Sequence, residues 1–344
     1  MAKKFKFDVV IGNPPYQEEL KNTSDKPIYH LFMDEAYKIA DRVTFITPAR
    51  FLFNAGKTPK KWNQKMLEDE HLKIEYYEQD SSKVFKNTDI KGGVTVTYRD
   101  SNKVFGAIGT FTAFPKLNGI LKKIAKTDNE SFSNIVLGQN IYQYTDKLHC
   151  DYPKAENLLS KGHKYDVTTN AFDRLNLIFF DSKPSDRYEY IQMLGFQNNR
   201  RTFKWVRRDY ISEHISLSKY KVFFPKSNSS GVFGETLSLP LIGSPLVGST
   251  QTFLTIGSFD TKEEAKAVFK YICSKFARAL LGVLKITQDA TSSKWKYVPL
   301  QDFTSASDID WSKSISEIDQ QLYKKYGLDN TEIEFIESHV KEMG

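Results

Sequence analysis

Cysteine is scarce: Cys150 and Cys273 are the only two in 344 residues. Two thiols so far apart make no disulfide framework, and they lack the paired spacing of a zinc site. His30, His71, His149, His163, His214 and His339 are scattered. None pairs with cysteine or carboxylates at ligand spacing, so no metal is expected. No apolar run approaches the roughly 18–20 residues that cross a bilayer, which excludes a helical membrane segment. The stretch Met1–Ile11 carries basic residues, but its only apolar run is Val9–Ile11, before Gly12-Asn13-Pro14. An export signal needs a longer apolar region and a small-residue cleavage site, so a reduced, cytoplasmic protein is the expectation. Internal repeats and low-complexity tracts are missing too.

What is present describes a globular protein. Hydrophobic residues make up 40% and charged residues 26%, enough apolar material for a core. The length suits about two domains. Lys and Arg number 49 against 42 Asp and Glu, a net charge of +7. That mild excess suits a polyanionic partner and equally suits a solvated basic surface. Aromatic residues reach 14%. Most belong to the core, but aromatics among basic residues also suit stacking on bases.

The first hundred residues alternate short apolar runs with amphipathic segments. Phe7–Ile11 reads as a buried strand ending at a Gly-Asn-Pro-Pro turn. Tyr29–Ala40 has helical apolar spacing, and Val43–Thr47 is a second strand stopped by Pro48. Lys57–Asp69 reads as a helix with Pro59 in its first turn. Ile74–Tyr77 and Val94–Tyr98 are further strands. This alternation implies a parallel α/β sheet, in which the last strand, with no helix before it, is free to run antiparallel. Residues 101–260 have fewer helical patterns and more Gly, Ser, Asn and Tyr, which points to short aromatic strands in an irregular α+β or mostly β unit. Thr261 and Glu264 form a capping box before an apolar stripe that predicts one long helix to about Leu284. Thr331 and Glu334 predict the start of a short C-terminal helix.

The informative tetrapeptide is Asn13-Pro14-Pro15-Tyr16. One reading is a Pro-Pro turn that merely ends a strand. Its position favours a site, because ligands of open α/β sheets lie at the carboxyl ends of the strands. The segment FDVVIGNPPYQ resembles the catalytic motif of amino-methyltransferases that methylate N6 of adenine in DNA. The likeness continues through Thr44–Phe53 and Val84–Tyr98, and resumes at Lys285–Phe303 and Leu322–Glu337. These stretches resemble the methylase portions of type II restriction-modification systems. The resemblance implies a partial Rossmann-like methyltransferase sheet, then an α+β target-recognition domain and C-terminal helices. The corresponding boundaries are a catalytic half over 1–105, recognition over 106–260, and a DNA-contacting segment over 261–344.

The resemblance assigns catalysis to Asn13, Pro14, Pro15 and Tyr16. An exocyclic amine is a poor nucleophile, because its lone pair is delocalised into the ring. The Asn13 carboxamide oxygen and a carbonyl of the proline pair accept hydrogen bonds from that amine, localise the lone pair and aim it. Consecutive prolines stiffen the turn. The adenine must leave the duplex, and Tyr16 offers a ring to stack on. A second stacking ring is expected from Phe85 or Phe105. Duplex contacts are expected from the basic, aromatic-laced stretch Phe196–Lys226: Arg200, Arg201, Lys204, Trp205, Arg207, Arg208, Lys219 and Lys221. Lys285, Gln288, Lys294 and Trp295 form a second candidate stretch.

The family binds S-adenosylmethionine with a Gly-rich F-x-G-x-G loop after the first sheet strand. Gly92-Gly93, Gly106 to Gly109 and Gly243 to Gly248 do not fit that pattern. Only eleven residues precede Gly12, so the first three strands of the usual sheet are expected to be missing and the donor site largely absent. A half sheet leaves Phe7–Ile11 as an unpaired edge, a liability unless covered. A second polypeptide carrying the donor-binding half, or self-association, is therefore expected. The alternative is a non-catalytic DNA-recognition subunit of a restriction or phage-defence complex.

Overall fold

The β-branched run Val9-Val10-Ile11 extends the chain into β1, Phe7–Gly12, and Gly12-Asn13-Pro14-Pro15 stops it. The computed structural model describes residues 7–18, 26–54, 56–88, 90, 92–127, 130–285 and 287–343. Asp89, Lys91 and Ile286 of the family-like stretches lie outside them. The architecture is mixed α/β in two units, Met1–Asn118 and Gly119–Gly344.

In the first unit, β1 is followed by α1 (Tyr29–Ile39), β2 (Ala40–Pro48), α2 (Lys60–Glu68), β3 (Leu72–Glu78) and β4 (Val94–Asp100). The sheet order is β1-β2-β4-β3. Only the β1–β2 pair is parallel; β4 runs antiparallel to both β2 and β3. The expected parallel pairing is found at β1–β2, and the last strand, β4, takes the antiparallel course that its missing helix left open. Parallel neighbours need a crossover, and no α-helix separates β3 from β4, so the chain turns back beside its predecessor. Met33, Ala36, Val43, Phe45, Phe51, Trp62 and Met66 fill the core under the sheet. Strand β1 is the edge, with Phe7, Val9 and Ile11 exposed.

The second unit holds two sheets. The strands are β5 (Val136–Leu137), β6 (Tyr190–Gln197), β7 (Arg200–Arg207), β8 (Tyr220–Pro225), β9 (Leu241–Gly243), β10 (Val247–Ser249) and β11 (Phe253–Phe259). One sheet has the order β9-β8-β11-β5 and the other β10-β6-β7. Four helices follow: α3 (Lys262–Cys273), α4 (Lys275–Leu281), α5 (Ile315–Lys325) and α6 (Asn330–His339). Residues 261–344 lie in the same unit as the β-rich segment before them.

The predicted long helix is two helices. The capping box of Thr261 and Glu264 starts α3 as expected, but Ser274 is extended (φ −62°, ψ 147°) and its side chain accepts from the Ala277 amide to start α4. The Asp319 carboxylate of α5 accepts from the amides of Lys275 (3.0 Å) and Phe276 (2.9 Å). Those acceptors satisfy the freed amides at the break. The C-terminal helix is capped by Asp329 with Glu332, two residues before the predicted pair. Helix α5, capped by Ser314 with Glu317, went unread in the sequence.

Candidate active site and nucleic-acid interface

Asn13 leaves the sheet at the carboxyl end of β1. Gly12 lies opposite Phe45, and Pro48 opposite Val94 closes the same end. Pro14 is buried, Asn13 and Pro15 are exposed, and Tyr16 is half-buried. The Tyr16 carbonyl accepts from the Ile28 amide at 3.1 Å, and Gln17–Glu18 pairs with Lys26–Pro27. The turn is thereby tied to the start of α1. It opens onto a cleft of about 880 Å³ lined by Asn13, Pro14, Tyr16, Tyr29, Arg50, Lys57 and Thr58 among others. No acidic side chain is among the described residues lining it.

The cleft wall is held firmly. The Thr58 hydroxyl donates to Asn63 at 2.7 Å. Tyr29 packs edge-on against Trp62, which packs against Phe51. Gly56 and Gly92, both left-handed (φ 81° and 87°), cradle the stem of Arg50. A Cβ on Gly92 would come within 2.9 Å of Arg50 Cγ, and one on Gly56 within 3.1 Å of Cδ. Glycine is needed there for both backbone and space.

Burial raises the Tyr16 pKa, outweighing the lowering by the nearby Asn13 side chain. Burial also pushes Tyr29 up to about 12, against Thr58 and Arg50, which lower it. Both phenols are neutral at pH 7. The Tyr16 hydroxyl makes no hydrogen bond of normal geometry among the described residues. The ring, not the hydroxyl, is what this residue presents to the cleft.

The two candidate stacking rings separate. Phe85 is half-buried in the loop after β3, at the same sheet end as Asn13; its amide donates to Ser81 (2.9 Å) and its carbonyl accepts from Thr88 (2.8 Å). Phe105 packs on Tyr98 at 5.9 Å, under the Lys73 ammonium, and its amide donates to Glu70. That is the far end of β3, whose seven residues span about 20 Å at 3.3 Å per residue. Phe105 does not share the cleft, and its expected role is corrected. Tyr29, Arg50, Lys57 and Thr58 were missed as cleft residues, although the stretch Thr44–Phe53 carried the signal for Arg50.

The expected duplex contacts are dispersed by the fold. Trp295 is fully buried against Phe132 and Phe224, with its indole N–H on the Ala290 carbonyl (2.9 Å). Lys285 is buried and paired with Glu235 at 3.1 Å. Lys204 is buried and paired with Asp181. Arg207 bonds Asp209, lies 3.4 Å from Asp151 and is flanked by the rings of Tyr188 and Tyr210. Arg208 pairs with Glu189 and Glu213, and Lys219 with Asp260. Trp205 joins Phe180 through backbone hydrogen bonds in both directions. Arg200 and Gln288 are exposed, while Arg201 and Lys294 are half-buried. Trp295, Lys221, Lys285 and Lys204 therefore serve the interior, contrary to expectation.

Lys221 has no exposure. Its ammonium donates to the carbonyls of Val247 (2.9 Å), Ser244 (3.1 Å) and Leu217 (3.4 Å). Burial lowers its pKa from 10.5 to about 7. Between those two values the unfolded chain binds more protons, so this residue makes stability rise with pH over that window. Lys221→Met should remove the rise. Denaturant titrations at successive pH values should show the unsubstituted protein gaining up to about 1.4 kcal/mol per pH unit relative to the variant. Parallel pH curves would mean that Lys221 stays protonated throughout.

Residues 1–85 match the family model described as Eco57I restriction-modification methylase. The match takes in β1, the Asn13–Tyr16 turn, α1, β2, α2, β3 and Phe85. This segment is thus similar to a restriction-modification methylase. No curated protein matches the sequence. Among solved structures, the type IIG restriction endonuclease BpuSI matches 92% of this chain and 48% of its own, at 10% identity and a TM-score of 0.33. The type IIL restriction-modification enzyme MmeI in complex with DNA matches 96% of this chain and 56% of its own, at 12% identity and a TM-score of 0.35. The chain spans about half the length of these structures. No helix among the described residues is long and apolar enough to cross a membrane.

Proposed function

We propose that this chain carries the acceptor-binding and target-recognition parts of a DNA adenine-N6 methyltransferase of a restriction-modification system. One observation carries the reading: the Asn13–Tyr16 turn, within the segment that matches a methylase family, opens at the carboxyl end of a sheet strand onto a cleft with two cations. Asn13 and a proline carbonyl accept the N–H groups of the flipped adenine and hold its lone pair toward the donor. Tyr16 stacks on the base, with Phe85 as the second ring. Arg50 and Lys57 suit the phosphates of the flipped nucleotide. S-adenosylmethionine supplies an electrophilic methyl group; the turn meets only its reactive end. The ribose hydroxyls of such a donor call for a carboxylate, and the described lining is cationic. The donor-binding half is therefore proposed to join at the exposed β1 edge, on another polypeptide or through self-association.

The test is transfer of labelled methyl groups to duplex DNA by this chain with its donor-binding half, followed by nucleoside analysis. N6-methyladenine is the expected product; methylcytosine would overturn the adenine assignment, and no product the catalytic one. Calorimetry of the isolated chain with donor should show binding no tighter than millimolar. Micromolar binding would place a full donor site within these residues.

A further inference from the structure

The second unit contains a built polar groove. Strands β6 and β7 are joined by Asn198-Asn199, both left-handed (φ 51° and 58°), a two-residue hairpin turn. This register sets Phe196 opposite Arg201. The Phe196 ring stacks on Phe253 at 5.5 Å and 14°, and the Arg201 guanidinium lies over the same Phe253 ring at 5.9 Å. Beside them runs a groove of about 920 Å³, lined by Arg201, Lys226, Gln139, Gln251, Gln288 and Asp289 among others.

Its cations differ from their neighbours. Lys204, Arg207, Arg208 and Lys219 each have a carboxylate partner. Arg201 and Lys226 have none within 4 Å among the described residues. Arg201 is half-buried, and burial lowers its pKa from the ordinary arginine value. A guanidinium taken partly out of water without a counter-ion favours a ligand that supplies acceptors. The polar groups around it are held by their own neighbours. Gln251 donates to Asn140, Gln288 accepts from Ser227 at 3.3 Å, and Asp289 accepts from Thr291 at 2.7 Å.

A phosphate suits this lining poorly, because Asp289 would repel it. A G·C base pair suits it well. Guanine offers O6 and N7 as a paired acceptor for an arginine fork, and cytosine offers an N4 donor to a carboxylate. We propose that this groove reads a G·C pair in the major groove of duplex DNA, with Arg201 on the guanine and Asp289 on the cytosine. The inference rests on the DNA-methyltransferase reading and adds to it the residues that set target specificity. Arg201 and Gln288 were legible as cations or amides of a basic stretch, whereas Gln139, Gln251 and Asp289 join them only through the fold.

The experiment selects bound duplexes from a DNA library with a randomised core, using the full chain and its Arg201→Ala and Arg201→Lys variants. The unsubstituted protein should enrich a motif containing a fixed G·C pair. Arg201→Ala should lose preference at that pair by about 10- to 100-fold and keep the rest of the motif. Arg201→Lys should lose it as well, since the charge remains but the fork does not. Thermal melting confirms that both variants fold, and the lysine variant carries the test if the alanine variant does not. An unchanged motif in a folded variant would overturn this proposal alone. Equal weakening on every sequence, with the salt slope lower by about one, would mean a phosphate contact and would also overturn it. No binding and no enrichment by the unsubstituted chain would overturn the proposal together with the DNA reading beneath it.

Discussion

Asn13→Ala should lower methyl transfer by about 100-fold or more, with folding and DNA binding close to unchanged. The size follows from losing one preorganised acceptor at the reacting group, which costs about that much in other preorganised sites. The position explains why the damage stays local. Asn13 is exposed, lies beyond the last β1–β2 pair at Gly12 and lends nothing to the core. Its side chain faces a cleft whose walls are fixed by Pro14, by Tyr29 packed on Trp62, and by Arg50 between two glycines. The amine of the acceptor would remain in place but keep its lone pair in the ring. Single-turnover transfer with the donor-binding half present is the measurement, and activity within a factor of about ten of the unsubstituted protein would remove Asn13 from the chemistry.

Tyr16→Ala should cost about 10- to 100-fold in the same assay, the worth of one base–aromatic stack of about 1–3 kcal/mol. Tyr16→Phe should be nearly silent. The Tyr16 hydroxyl is buried and makes no hydrogen bond of normal geometry among the described residues, only a loose approach to the Asn13 side chain, so removing it takes away a poorly satisfied polar group and should raise thermal stability slightly. Substrate affinity and melting temperature together separate the cases. A phenylalanine variant as impaired as the alanine variant would mean that the hydroxyl, not the ring, meets the substrate.

The Asn13–Tyr16 turn was legible as a strand end because its determinants are local. A β-branched run, two prolines and one aromatic specify strand, stop and ring within ten residues, Phe7–Tyr16. The capping box at Thr261–Glu264 was legible for the same reason. The break at Ser274 was not. The apolar stripe continues across it, and the carboxylate that satisfies the Lys275 and Phe276 amides comes from Asp319 on another helix. The basic stretch misled in a similar way. Phe196–Lys226 itself holds only Asp209 and Glu213 as acids, but Asp151, Asp181, Glu189 and Asp260 reach its cations from elsewhere in the chain.

By itself, the sequence determined the strand-and-turn unit that presents Asn13 and Tyr16, the α/β character of the first hundred residues, and the start of α3, whose cap lies within four residues. These depend on propensity, apolar period and backbone restriction, which act over a few residues. Only the tertiary structure decided which cations keep an unbalanced charge, which of the two candidate rings lies at the sheet end of the turn, and that Arg201 and Asp289 line one groove. Charge neutralisation and burial are set by neighbours in space. The fold chooses those neighbours from distant parts of the chain, and in a low-dielectric interior a single buried carboxylate or carbonyl decides whether a lysine serves the surface or the core.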